Sequence, residues 1–382
     1  MATGLTPIRR VVTGNDEQGR SKVVWDGPSP GTHETNFKVR GHTDFWVWRE
    51  TPPPLGGTED AGTWDDEFPG PPGGGHLRVV HWLARTDESP SNETPHAPVE
   101  VHGGRTWDRG GGNHYNRSYM HKTESVDYGI MLSGERVIEL DDCTLVMQPG
   151  DIVVQVGAWH LWDSSRMGCL MAFDMISAKF VDGPAGTAQG NDPVIRPRPD
   201  RQLPPGVKPA RRIVTIDREA GKSSLVSDTP SPDVRTDPAR PGFALQRMWV
   251  VDGAPAKIVF ETLHLPHTLE PPAKGSVLNV YTFPPDASWK GKVGAAEVAA
   301  YFRSMGSPGA STYSPQAAHP YMQKTRTLDF GIVLEGEIVL VLDTQEVTLK
   351  AGEIIVQRGT NHAWSNRTNK PAVVAIASHD AK

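Results

Sequence analysis

The sequence predicts an all-β protein of two tandem units, and three observations carry that expectation. The chain repeats itself, the repeated stretch is made of short β-branched runs, and glycine and proline are abundant, at 39 and 34 of 382 residues. Residues 119–162 and 321–364 align without a gap at an offset of 202, with 20 of 44 positions identical. At the same offset PIRRVVT (7–13) returns as PARRIVT (209–215). Two ungapped matches at one offset mark a duplication. The join falls in 181–208, where six prolines, four glycines and no apolar period describe an extended linker. The units are therefore expected at 1–195 and 196–382, with their packed cores near 77–180 and 278–380.

Each element follows from its local pattern. Residues 51–75 (TPPPLGGTEDAGTWDDEFPGPPGGG) are too rich in proline and glycine for a regular element and are expected to form a surface loop. Residues 103–117 (GGRTWDRGGGNHYNR) form a glycine-rich stretch leading straight into His121. From Tyr128 to Leu140 a strand pattern is interrupted by Ser133-Gly134-Glu135. Further short runs follow at 145–147 and, after the Pro149-Gly150-Asp151 turn, at 152–154. The second copy repeats this at 331–342, 346–349 and 354–356. Short runs punctuated at such intervals belong to a sandwich or a barrel. One helix is expected, at 294–305 (GAAEVAAYFRSM), with Ala299, Phe302 and Met305 on one face. The paired Arg9-Arg10 and Arg211-Arg212 stand at the same point of each unit and are expected to make the same structural contact twice.

Composition narrows the function. A net charge of −6 without basic runs gives no footprint for nucleic acid. No 18-residue apolar stretch offers a membrane span, and MATGLTPIRRVVTG lacks a signal-peptide core. Cys143 and Cys169 can pair, but a chain this long needs no disulfide, so a reducing cytoplasm is the expected setting. There is no P-loop, no G-x-G-x-x-G after a strand and no C-x-x-C.

In the first copy, His121-Lys-Thr123-Glu-Ser-Val-Asp127 is followed after six residues by Gly134, and Gly150-Asp151 leads to Gly157-Ala-Trp-His160. In the second copy, Gln323, Thr325 and Asp329 stand at the corresponding positions, and Gly359-Thr-Asn-His362 precedes Asn366. These blocks resemble the paired motifs of the cupin superfamily. The resemblance implies two tandem antiparallel cupin-like β-barrels with a few short helices, each with an interior pocket. The chain departs from the pattern in three places. Thr123 and Thr325 replace the second histidine, Asp127 and Asp329 replace a glutamate, and Gln323 replaces the first histidine of copy two. The second motif is also one residue short between Gly150 and Gly157.

Side chains alternate along a strand, so Tyr119, His121 and Thr123 share one face, and Asp127 keeps that parity. The resemblance makes that face the interior and lets His121, Asp127 and His160 converge. Two imidazoles and a carboxylate form the usual set for a non-haem Fe(II)-type divalent ion. In copy two an amide is a poor ligand, so Gln323, Asp329 and His362 are expected to hold none. Tyr119 could supply a hydroxyl, and Trp162, two beyond His160, a substrate platform; core filling is the alternative for both. The glycine-rich loop offers Arg105 and Arg109 for a carboxylate or phenolate and His114 as a general base; a solvated connector is its plain reading. Nine histidines precede residue 161 and five follow it. That asymmetry, with the polar loop, makes copy one the expected working site.

Three functions remain open. The first is a metal-dependent dioxygenase acting on a small organic, possibly aromatic, molecule. The second is a metal-free lyase, dehydratase or isomerase, with Asp127 as base and His121 or His160 as acid. The third is a two-barrel protein that binds a small ligand without chemistry. A homodimer is expected, because exposed strand edges favour association.

Overall fold

The computed structural model describes residues 5–34, 40–64, 68–84, 100–102, 104–112, 117–180 and 202–382. The described residues are mostly strand, with one α-helix among them, Ala295–Ser304, near the expected span. Its buried face is Val298, Tyr301, Phe302 and, just past its end, Met305. Among the described residues no helix is long and apolar enough to cross a membrane.

Two large sheets carry the fold. One has nine strands. Edge to edge it runs through Lys222–Pro230, Arg211–Glu219, Ile152–Val156, Ser125–Glu139, Leu161–Ser177, Gly75–Trp82, Arg40–Trp48 and Gly31–Glu34, with Thr144–Met147 paired to Ser125–Glu139. The other has eight and runs through Asp233–Thr236, Ala244–Val251, Ser276–Phe283, Ala372–Asp380, Thr327–Glu335, Ile354–Arg358, Arg9–Asn15 and Ser21–Pro28. Neither sheet closes on itself. A three-stranded sheet accompanies each: Glu100–His102, Thr106–Asp108 and His121–Thr123 in the first unit, and Glu346–Lys350, Glu337–Leu342 and His362–Ser365 in the second.

The units exchange their first hairpins. Arg9–Asn15 pairs in parallel with Ile354–Arg358, and Arg211–Glu219 pairs in parallel with Ile152–Val156. Every other strand pairing within the two large sheets is antiparallel. The duplicated arginines explain how the exchange is fixed. Arg9 grips Asp26 of its own hairpin and Glu353 of the other unit, at 2.7 and 2.9 Å. Arg211 repeats this with Asp228 and Asp151, at 2.6 and 2.7 Å. The neighbouring Arg10 and Arg212 are buried, the first on Asp60 and the Phe45 carbonyl, the second on Glu261 and the Met248 carbonyl.

Strand alternation then divides two interiors. Val126, Tyr128 and Ile130, with Ile152, Val154 and Val156, face a core shared by both units that also holds Val214, Trp249, Leu278, Phe330 and Ala377. Asp127 and Gln155, at the opposite parity, face inside the first unit. Being buried on both faces makes these strands read as near-continuous apolar runs. Polar contacts also cross the shared core: Tyr128 Oη to Ser276 Oγ at 2.7 Å and His379 Nε2 to Asp174 Oδ2 at 2.9 Å. With hairpins exchanged and one core between them, the units should melt together. One cooperative transition is expected when heat unfolding is followed by circular dichroism; two resolved transitions would contradict the shared core.

The segment 51–75 is more than a surface loop. Ala61 and Gly62 are buried in a short 3₁₀ turn, and Phe68 reaches the interior of the first unit.

Candidate active site

The first unit encloses a cavity of about 440 Å³ between its large sheet and its small one. Val80, Trp82, Trp162, Phe173 and Met175 give it an apolar wall. His121, Thr123, Asp127, Gln155, His160 and Arg136 bring polar groups to it.

His121 and His160 come from separate strands held together by reciprocal backbone hydrogen bonds of 2.8 and 2.9 Å. Their rings lie 4.2 Å apart. Each Nδ1 meets a main-chain carbonyl two residues back, His121 at Tyr119 O (2.7 Å) and His160 at Ala158 O (2.9 Å). A carbonyl only accepts, so each Nδ1 carries a ring proton. Burial, helped by the neighbouring His121, holds the His160 pKa well below the ordinary value. Held neutral, the His160 ring keeps its lone pair on Nε2.

Asp127 is the third group of the set. It lies on Ser125–Glu139 opposite Gln155 of the adjacent strand. Its Oδ1 is buried without a partner, as are both polar atoms of the Gln155 amide. Burial pushes the Asp127 carboxyl up to about 7 against the opposing hydrogen bond from Ser125.

The same shift has a consequence for stability. The folded pKa lies above the unfolded one, so the stabilisation is complete below about pH 4 and is lost as pH rises through about 7. Asp127→Asn removes that loss. The melting temperature of the variant is expected to gain on the parent between pH 5 and pH 8, by several degrees at pH 8. Parallel melting curves across that range would contradict the burial of this carboxyl.

Other expected site residues are divided. Tyr119, Thr123 and Trp162 line the cavity with the histidines. Arg105 does not; it is spent on the carbonyls of Gly70 and Glu124 and on Ser177 Oγ. Arg109 bonds Gly221 O and Asp141 and lies over the Trp159 ring at 4.8 Å. Both arginines brace the glycine-rich loop from outside, while Thr106 and Asp108 of that loop reach the cavity. His114 lies outside the described residues. In the second unit the Gln323 amide sits 3.2 Å from His362 Nε2 and occupies the lone pair that the first unit leaves to its cavity. His362 Nδ1 bonds Thr360 O, and Asp329 is buried with a raised pKa.

Among the described residues, ligand atoms of three side chains come within 4.8 Å of one another only at His33, His42 and Asp44, a His/His/Asp cluster at one edge of the cavity. Pattern reading missed it, because its signal is a cross-strand pair, His33 opposite His42, with Asp44 two further on. Arg78 already grips the Asp44 carboxylate through Nε at 2.6 Å and Nη2 at 3.1 Å, and the two rings stack at 4.9 Å. That cation competes with an ion for the same oxygens. His121, Asp127 and His160 share the cavity without gathering into one coordination sphere. Asp127 is a methylene shorter than the glutamate of the motif and is turned to Ser125.

Sequence reading also missed Arg136. It is 1% exposed and is sandwiched by Trp82 and Trp162, its guanidinium carbon 3.9 and 4.5 Å from their ring centres. The only available signal was the repeat itself, which puts Ile338 at the matching place in copy two.

Comparison with known proteins adds the following. A family model described as a cupin domain matches residues 309–378. Phomopsin biosynthesis cluster protein C′ of Diaporthe leptostromiformis is 55% identical over 49 residues, 13% of this chain and 26% of that protein. A cupin-domain-containing oxidoreductase of Hypocrea virens is 40% identical over 57 residues, 15% of this chain and 29% of that protein. The matched stretches thus span little more than a quarter of either relative. Among solved structures, a putative glyoxylate-induced protein from Pseudomonas aeruginosa aligns with a TM-score of 0.40 at 12% identity, over 92% of this chain and 85% of that one.

Proposed function

The chain is a two-unit protein of the cupin superfamily, and from that premise we propose that its first unit, within 1–195, is an enzyme transforming a small organic molecule by proton transfer. One observation carries the reading. A buried carboxyl whose pKa burial pushes up to about 7, with an oxygen lacking any protein partner, shares an apolar cavity with two imidazoles that each donate Nδ1–H to a carbonyl.

In this mechanism His121, the less buried imidazole, takes a proton on Nε2 from a carbon beside an electron-withdrawing group. Asp127 delivers its carboxyl proton either to a departing hydroxyl, which leaves as water, or to a second carbon. The first course makes the enzyme a dehydratase or lyase, the second an isomerase. Return of the proton from the imidazolium to the Asp127 carboxylate restores the starting state, so no oxidant is consumed. The Tyr119 hydroxyl and the Gln155 amide hold substrate oxygens, and the Trp162 face packs its body. The second unit, within 196–382, supplies structure and the exchanged hairpin.

A second reading is a metal-dependent oxidation, and a specific observation favours it. Ligating histidines donate their other ring N–H to a carbonyl, as His121 and His160 both do. An Fe(II)-type ion held there would supply oxygen activation. The name of the Hypocrea virens relative, an oxidoreductase, points the same way. One assay separates the readings. Protein treated with chelator and assayed without oxygen, against aromatic and polyketide-like acids read by mass spectrometry, is expected to keep its turnover. Turnover that stops without metal and oxygen would establish the oxidation, and a compound retained unchanged by parent and His121→Ala alike would mark a binding protein.

A further inference from the structure

The guanidinium of Arg136 is the unexplained charge of the first unit. Its Nε and Nη1 are buried and bond nothing. Three rings enclose it: Trp82, Trp162 and, at 5.6 Å, Phe173. Burial pushes its pKa down to about 10 and Arg40 adds to the push, while the Cys169 sulfur and Asp163 oppose it only through space. Leaving a buried cation without an anion costs several kcal/mol, so such groups are normally paired.

The second unit contains the same device with its anion in place. Arg240 is caged by Phe243, Tyr301 and Tyr321, at 3.9, 4.4 and 3.6 Å. There Asp237 bonds the guanidinium at 2.7 Å and also accepts the Tyr321 hydroxyl at 2.7 Å. The chain therefore shows what an aromatic-caged arginine looks like when it is satisfied. In the first unit no carboxylate among the described residues bonds the arginine, and a cavity lies beside it.

We propose that the cavity binds an organic carboxylate, its anionic end on Arg136 and its flat apolar body against Trp82 and Trp162. The walls suit an aromatic or otherwise planar body. The caged guanidinium presents the planar fork that matches a carboxylate. This rests on the reading of the cavity as a substrate site and deepens it: the carboxylate is the electron-withdrawing group that makes a neighbouring carbon acidic. In copy two Ile338 stands at the place of Arg136, and the strand register puts Phe283 and Ile376 where Trp82 and Phe173 are, an apolar core with no cation at that place, so this anion site belongs to the first unit alone.

The test is calorimetric titration of the full chain with 2-naphthoate and, separately, 2-naphthamide. The parent is expected to bind the carboxylate and to prefer it to the amide by about tenfold or more. Arg136→Met is expected to weaken naphthoate by about 30-fold or more while leaving naphthamide within about twofold. Arg136→Lys, which keeps the charge and loses the fork, should fall between and guards against a merely misfolded Met variant. Equal affinity of the parent for acid and amide, undiminished naphthoate binding in Arg136→Met, or no saturable binding to the parent would each overturn the proposal. The measurement needs no turnover. His121→Ala and Asp127→Asn should still bind naphthoate, so carboxylate binding without chemistry sinks only the enzyme reading. Turnover that ignores Arg136 sinks only this one.

Discussion

Asp127→Asn is expected to lower kcat by about 10²-fold or more, the range that loss of a positioned acid produces. The amide keeps the shape of the carboxyl and its contact with Ser125, and it cannot hand over a proton. The pH dependence carries the sign. If Asp127 acts as the acid, the parent works with the carboxyl protonated, so kcat/KM falls as pH rises through about 7. The variant loses that limb. His121→Ala should cost about as much as Asp127→Asn, and the double variant little more than either, because removing one end of a proton shuttle already stops it. An Asp127→Asn enzyme within a few-fold of the parent would end the proton-transfer mechanism. A rate that climbs through pH 7 would return Asp127 to the role of base.

Much of this fold was legible because its signals are local. The 202-residue offset, the β-branched runs and the helix near 294–305 are written in neighbouring residues. The duplicated arginines foretold a duplicated contact, and Arg9 with Asp26 does recur as Arg211 with Asp228. The motif histidines and Asp127 were found through the motif resemblance, with strand parity placing His121 and Asp127 on one face, and all three line one cavity. Other features escaped because they depend on pairing across distance. Nothing in PIRRVVT tells that its strand joins the sheet of the other unit. His33 meets His42 only through strand register. Arg105 and Arg109 drew attention as loop cations, yet a loop cation bonds whatever carbonyls lie beneath it. Arg136 sits in an ordinary strand run, and its meaning comes from Trp82 and Trp162, which are remote from it in sequence.

Loss of Lys122 is expected to be the most destabilising single change near the site. Lys122 Nζ lies 2.6 Å from Asp217 Oδ2, with the two side chains 0% and 1% exposed. The lysine follows His121 and points to the other side of its strand, against the Phe180 ring. Asp217 arrives on the exchanged strand Arg211–Glu219, and its second oxygen accepts the backbone N–H of Trp159, the residue before His160. One carboxylate from the second half of the chain thus pins both strands that carry the imidazoles. The second unit has no such pin, since Asn15 stands where Asp217 would be and Lys324 is exposed. Lys122→Met strands a buried carboxylate, a change that costs about 3–5 kcal/mol, and the thermal midpoint should drop accordingly. Lys122→Met combined with Asp217→Leu should regain most of that stability, because an apolar pair needs no counter-charge. It should not regain activity, because the Trp159 N–H loses its acceptor and the His160 strand its anchor. Stability restored together with full kcat would show that the pair only fills space; stability restored with kcat still depressed would show that the exchanged hairpin positions the imidazoles.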